Sequence, residues 1–355
     1  MEMETGVRSP AVAAASAGPG GDPAFAADHG SLPMVDLYLS MMTASAMTTA
    51  GRIGLFEALA KGPMALPALA REVGATADGA ERLADFLVAI GVLERRHGLL
   101  SNAAKTTRWF TSRGAVNYGP GLVWTADAWM IMDDLAGAIR RGGPERLLWD
   151  RMAARPELGD HFSRYMRAFA EHLSPDLLAA TDRTVKPLRL LDLGGSHGVH
   201  SMAFCWQNPN LHAVIVDLES ALTQTAALID DQGLTDRIAV RPGDLRDGDW
   251  GSDYDIVLYL SVAHNMSLDE NRQIFRRLAK VMRPGGQLII HDYPRETTPA
   301  TFDAAFRLTL LVETGTRTFT LQELKDLLTE AGFLTPLVTT LSPAEKGALI
   351  IARLP

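Results

Sequence analysis

The residues whose types and spacing most suggest chemistry are a glycine-rich turn and two carboxylates that follow it. Leu190-Leu191-Asp192-Leu193-Gly194-Gly195-Ser196-His197-Gly198 reads as a short buried strand that breaks into a turn and then opens a helix. Glycine lacks a Cβ and tolerates positive φ, so a ligand can approach bare backbone there. The N–H groups opening the next helix favour an anionic or polar ligand group. Asp217 lies 19 residues past Gly198, at the end of a second apolar run. A carboxylate at that spacing can accept both hydroxyls of a ribose; it can equally cap a helix. Asp244 ends a third run, in Pro242-Gly243-Asp244-Leu245, where it could accept from the exocyclic amine of an adenine with Leu245 lying on the ring. A dinucleotide pattern starting at Gly194 would need glycine at 196 and 199, and the chain has Ser196 and Val199. The Walker phosphate pattern is absent. Acids at two successive strand ends suit a nucleoside without phosphates better than a pyrophosphate.

These residues need a scaffold of alternating strands and helices, and the second half of the chain supplies it. Strands are expected at 189–193, 213–218, 238–241, 256–260, 287–291, 337–340 and 348–352. Helices are expected at 200–207, 220–232, 268–281 and 321–331. The pattern is an open, mostly parallel α/β sheet, whose last two strands have a link short enough to pair antiparallel. Ligands bind beyond the carboxyl ends of such strands, which places the glycine turn, Asp217, Asp244 and the segment after Leu260 along one edge.

The first half is organised differently. Residues 1–30 are rich in Ala, Gly, Ser and Pro and read as a disordered tail. Residues 31–112 carry a helical stretch with a surplus of Met and Leu, then helix, turn, helix (66–73 and 81–91) and a small hairpin, which is a winged-helix arrangement. A DNA reader needs a basic recognition helix; here Arg82 is offset by Glu81 and Asp85. Dimerisation or shielding of a substrate is the better reading, and the apolar stripe of residues 32–59 would need a partner. Residues 113–184 form helical linker and pocket elements, with Phe162, Met166 and Phe169 on one helix face. Together with Trp124 they are candidates to line an aromatic pocket. Residues 185–355 form the ligand-binding domain.

Composition limits the alternatives. The 355 residues favour two domains, and 47% hydrophobic with 21% charged residues suits a soluble globular protein. A net charge of −8 argues against nucleic acid or an anionic membrane as partner. Cys205 is the sole cysteine and reads as core. With no apolar run long enough to span a membrane and no signal-like start, a cytoplasmic protein is expected.

Read in order, Asp192 to Gly198, Asn208-Pro209-Asn210, Val216-Asp217-Leu218 and Gly243-Asp244-Leu245 resemble the S-adenosylmethionine motifs of the class I small-molecule O-methyltransferases. Ser261-Val262-Ala263-His264-Asn265 resembles the family's catalytic-base segment, and Met282-Arg283-Pro284-Gly285-Gly286 its turn. Arg317-Thr318-Phe319-Thr320 with Glu323 and Ala331-Gly332-Phe333 resembles its C-terminal helix signature. The likeness spans about residues 34–355 and extends to the family's winged-helix dimerisation domain. It implies a Rossmann-like seven-stranded sheet and a homodimer whose partner closes part of each active site. The implied cofactor is S-adenosylmethionine, held by Asp192, Gly194, Gly195, Asp217, Leu218, Asp244 and Leu245. The implied acceptor is an aromatic small molecule.

The resemblance casts His264 as general base, since an imidazole's ordinary pKa of about 6.5 suits proton abstraction near neutrality. It casts Asp292 as the acid that orients it. The chain departs from the family where it has Asn265 for Asp, Met266 for Trp, Leu260 for Lys, Thr316 for Glu and Ser196 for the central glycine. Carbon methylation and a non-methylating cyclisation on the same cofactor site therefore stay open, with a winged-helix regulator as a further alternative. His197, His200 and His291 lie near the same edge, but no ligand spacing joins them and no metal is expected.

Overall fold

The computed structural model describes residues 33–181, 189–341 and 346–355. The expected tail at 1–30 lies outside the described residues.

The N-terminal part opens on helix Pro33–Arg52, then Leu55–Ala60, with Gly54 between them at φ +71°. A three-stranded sheet follows from β1 (Met64–Ala65), β2 (Leu93–Arg96) and β3 (Leu99–Asn102), in the order β1-β3-β2. Helices Leu66–Glu72 and Ala77–Ala89 stand between its first two strands. The second of these starts four residues before the expected 81, because the Thr76 side chain accepts from Gly79 N–H and caps it.

The C-terminal part is a seven-stranded sheet of β4 (Arg189–Leu193), β5 (His212–Asp217), β6 (Ile238–Pro242), β7 (Tyr254–Leu260), β8 (Met282–Asp292), β9 (Leu337–Thr340) and β10 (Ala348–Arg353). The order is β6-β5-β4-β7-β8-β10-β9, parallel except that β10 runs against both of its neighbours. The central strands read as unbroken apolar runs because both faces are covered. Leu191, Leu193, Val257, Tyr259, Leu288 and Ile290 pack on one face with helices Leu268–Val281 and Leu321–Glu330. Leu190, Ile256, Leu258, Ile289 and Ile351 pack on the other with Val199–Gln207 and the end of the long helix Pro156–Ala180.

Two elements differ from expectation. The stretch 220–232 divides into a single 3₁₀ turn, Glu219–Ala221, and a helix Thr225–Asp231. The 282–286 turn is absorbed into β8, which bulges against β7 between Tyr254 and Ile256, with Gly285 at φ +77°. Helix Gly119–Met132 lies between Pro33–Arg52 and Pro156–Ala180 and ties the two parts together.

Candidate active site

Strand order brings the ends of β4, β5, β6 and β7 to one edge, and a cavity of about 520 Å³ opens there. That size falls within the roughly 300–1,000 Å³ of small-molecule sites. Asp192, Gly194, Gly195, Ser196, Asp217, Leu218, Asp244 and Leu245 all line it. Phe162, Met166 and Phe169, with Trp149, line another part of the same wall.

The turn after β4 holds its shape through backbone bonds. Gly194 sits at φ +83° and donates to Val216 O at 2.8 Å; Gly198 sits at φ +72° and opens the next helix. A Cβ at Gly194 would fall 2.5 Å from a Val262 methyl, and one at Gly195 would strike the Asp192 carboxyl. Ser196, where the glycine pattern breaks, takes φ +35°. Its hydroxyl donates to Ala221 O at 3.2 Å, and its carbonyl accepts from the Thr225 hydroxyl at 2.6 Å. The serine is thus built into the turn.

Asp217 accepts from Ser196 N–H (2.9 Å) and Leu218 N–H (2.7 Å). Burial pushes its carboxyl up to about 6 against those two bonds. Asp192 is buried, accepts the Ser201 hydroxyl at 2.8 Å, and is pushed by burial, with Asp217 adding, to about 7. Asp244 differs from the sequence expectation. Arg246 grips its carboxylate through Nε (3.0 Å) and Nη2 (2.7 Å) and holds it below the usual carboxylate range. Its capacity toward an adenine amine is therefore shared with that guanidinium.

Trp124 does not line the cavity. Its helix turns the indole into the core behind Phe162, where the rings meet edge-on at 4.9 Å. This corrects the expected pocket set: Trp124 supports the wall that Phe162 presents.

His264 is buried in the turn Ala263–Asn265 after β7. Its Nδ1–H donates to Asp292 Oδ1 at 2.9 Å, and its backbone N–H to Asp292 Oδ2 at 3.1 Å. Nδ1 carrying the proton leaves Nε2 as the bare acceptor. Burial acts to raise the Asp292 carboxyl, but His264 and the Tyr293 N–H outweigh it and hold it low. The main cavity takes in Val262, Asn265 and Met266 around this turn, but not His264 itself. The imidazole lies one layer back, edge-on to Phe306 at 4.9 Å and near Tyr293 at 6.4 Å.

Sequence reasoning missed two features. Ser261, at φ +57° on the cavity wall, lies 2.9 Å from His291 Nδ1. His291 Nε2 donates to Lys346 O at 2.6 Å, so Nδ1 is the acceptor and Ser261 donates to it. No local signal joins residues thirty positions apart; the β7–β8 register, which pairs Leu260 with His291, does. The second is Glu313, buried at the end of helix Ala300–Glu313.

A parallel sheet with a single reversed strand, a glycine turn after its first central strand and acids after the next two define a Rossmann-like class I methyltransferase. Comparison with known proteins agrees. The O-methyltransferase domain profile matches residues 134–334, and the O-methyltransferase dimerisation domain matches 35–113. The chain belongs to the O-methyltransferase family and is an S-adenosylmethionine-dependent methyltransferase. It is 28% identical over 309 residues to 3-hydroxy-5-methyl-1-naphthoate 3-O-methyltransferase of Streptomyces sahachiroi, covering 84% of this chain and 88% of that one. It is 27% identical over 310 residues to the L-tyrosine C(3)-methyltransferase of Streptomyces lavendulae, covering 81% and 82%. In fold it is similar to human N-acetylserotonin methyltransferase in complex with SAM: TM-score 0.80 at 20% identity, over 95% of this chain and 99% of that one.

The residues present fit this cofactor. One buried carboxylate, Asp192, and one half-buried, Asp217, both on the cavity wall and both raised by desolvation, suit an ammonium and ribose hydroxyls. The bare backbone of Gly194 and Gly195 leaves room beside them.

Proposed function

We propose that this chain methylates a hydroxyl of an aromatic small molecule of the natural-product kind, working as a homodimer in the cytoplasm. The observation that carries this reading is a single cavity with two linings. The glycine turn with Asp192, Asp217 and Asp244 lines one part, and Trp149, Phe162, Met166 and Phe169 line another. The naphthoate specificity of one relative is consistent with a flat aromatic acceptor. The dimerisation-domain match and the exposed Met34, Leu37, Tyr38 and Met41 of the first helix support a second copy as partner.

In this reading Asp217 accepts the ribose hydroxyls and Asp192 faces the ammonium of the methionine end. Leu218 and Leu245 flank the adenine, with Asp244 at its rim. When bound, S-adenosylmethionine supplies an electrophilic methyl group on a sulfonium. The chain's part is to hold the acceptor oxygen in line, which supplies roughly 7–11 kcal/mol of the barrier in well-oriented systems. His264 Nε2 takes the hydroxyl proton, and Asp292 fixes the tautomer and steadies the imidazolium. General bases of this kind contribute about 10²–10⁴-fold. Because His264 lies behind the cavity wall, acceptor binding includes a side-chain shift that opens that wall.

Calorimetric titration with S-adenosylmethionine tests the cofactor half, and absence of binding would end the proposal. Carbon methylation is the second reading. It is favoured by the tyrosine C-methylating relative and by the position of His264 off the cavity lining. The site of the transferred methyl in the product separates the two.

A further inference from the structure

We propose that Ser261 selects the aromatic acceptor. It stands on the cavity wall as a fixed hydrogen-bond acceptor and takes an O–H or N–H of the ring system other than the hydroxyl that is methylated. The inference rests on the O-methylation reading and narrows its acceptors to aromatic rings that carry a second donor.

The polarity of one hydrogen-bond chain carries this. Lys346 O accepts His291 Nε2–H at 2.6 Å, and the Lys346 side chain is tied to Asp176 of helix Pro156–Ala180 at 2.7 Å. His291 is buried near the end of β8, and burial holds its imidazole below the ordinary pKa, so it stays neutral with Nδ1 bare. The Ser261 hydroxyl, 2.9 Å from that nitrogen, gives it its only hydrogen. What remains for the cavity is lone pairs, so the hydroxyl accepts from a ligand and cannot donate to one. A ring carbonyl or ether oxygen placed there would set lone pairs against lone pairs. The backbone is held as well: Ser261 N–H donates to His291 O at 2.9 Å. Ser261 keeps φ +57°, a conformation that L side chains rarely adopt and glycine adopts freely. A strained serine on a cavity wall points to a hydroxyl placed for contact. Its neighbours say which ligand it meets. Val262, next in sequence, packs a methyl against the open side of Gly194 in the cofactor turn. On the other side the His291 ring lies 5.7 Å from Phe169, which lines the aromatic part. Ser261 therefore stands where the two linings meet. With the cofactor's hydroxyls on Asp217 and its ammonium on Asp192, Ser261 is left to the acceptor.

The test is calorimetric titration of the full chain, saturated with S-adenosylhomocysteine, with a panel of dihydroxynaphthoates and the monohydroxynaphthoate that each becomes when its second hydroxyl is removed. At least one dihydroxy isomer should bind the wild type about 2- to 12-fold more tightly than its monohydroxy counterpart, the worth of one neutral hydrogen bond. That preference should fall to parity in Ser261→Gly, which removes the hydroxyl and suits the backbone at φ +57°. Affinity for S-adenosylhomocysteine should stay within about twofold between the two proteins, since no bond to the cofactor is lost. A preference that survives Ser261→Gly, or none for any isomer in the wild type, overturns the proposal. So does a clear loss of cofactor affinity in Ser261→Gly, which would give Ser261 to the cofactor's ammonium. If Ser261→Gly fails to fold, Ser261→Ala makes the same deletion. ¹⁵N NMR of the histidine-labelled chain checks the polarity with no ligand added. His291 should carry its proton on Nε2, and its Nδ1 signal should move in Ser261→Gly; a proton on Nδ1 also overturns the proposal. A wild type that binds S-adenosylhomocysteine but no naphthoate would instead end the aromatic-acceptor reading, and this inference with it.

Discussion

Asp217→Asn should weaken binding of S-adenosylhomocysteine about 10- to 150-fold. In the structure the carboxylate already accepts two backbone N–H bonds, from Ser196 and Leu218, at 2.9 and 2.7 Å. A carboxylate offers about four lone-pair sites, so two remain for a ribose diol. Asparagine keeps one oxygen and turns an NH₂ group toward either the diol or a backbone N–H. Losing one charge-assisted hydrogen bond costs about 1.5–3 kcal/mol, which is the stated range at about 1.4 kcal/mol per decade. The pH dependence has a fixed sign. Burial raises the free carboxyl to about 6, and hydroxyl donors stabilise its ionised form, lowering its pKa in the complex. The Asp217 contribution to affinity is therefore full above about 6 and lost as pH falls through it, by up to one decade per unit, below the loss that Asp192 begins near 7. Stability has the opposite sign: an acid raised in the folded chain costs stability as pH rises from about 4 to 6. Calorimetry from pH 5 to 8 measures the binding profile. Unchanged affinity in Asp217→Asn, or a wild-type profile flat between pH 5 and 6, would refute the assignment.

Three other substitutions probe separate parts of the site. Gly194→Ala places a Cβ 2.5 Å from Val262 at a positive φ. With about 1–2 kcal/mol for the left-handed backbone and 1–3 for overpacking, a melting-temperature loss of several degrees is expected in thermal denaturation. Ser196→Gly relieves φ +35° but loses the hydroxyl bond to Ala221 O; these effects nearly cancel, so cofactor affinity should stay within about threefold by calorimetry. His264→Ala should lower kcat by about 10²–10⁴ while cofactor affinity is retained; equal losses in both would mean that the turn had collapsed.

The sheet was legible because its central strands are buried on both faces, which leaves unmistakable apolar runs ending in glycine or aspartate. The residues along the cavity edge were legible for the same reason: each sits at a strand end, and the order of strands does the rest. Trp124 was not, since helical spacing tells which residues share a face and nothing about what that face meets. The depth of His264 was hidden too, because it depends on where helix Ala300–Glu313 sets Phe306. Glu313 passed unnoticed because an isolated glutamate in an apolar run has no local signature; only the helix's inward stripe reveals it. Arg246 beside Asp244 was visible in sequence, but its grip on the carboxylate depends on the turn's geometry.

The most direct test is to incubate the purified protein with methyl-¹³C S-adenosylmethionine and hydroxylated aromatic acids, then locate the label by heteronuclear NMR. A labelled methyl on oxygen, formed about 10²–10⁴-fold more slowly in His264→Ala, is the predicted result. Label on carbon, or no label in any acceptor from a protein that binds the cofactor, would contradict O-methylation.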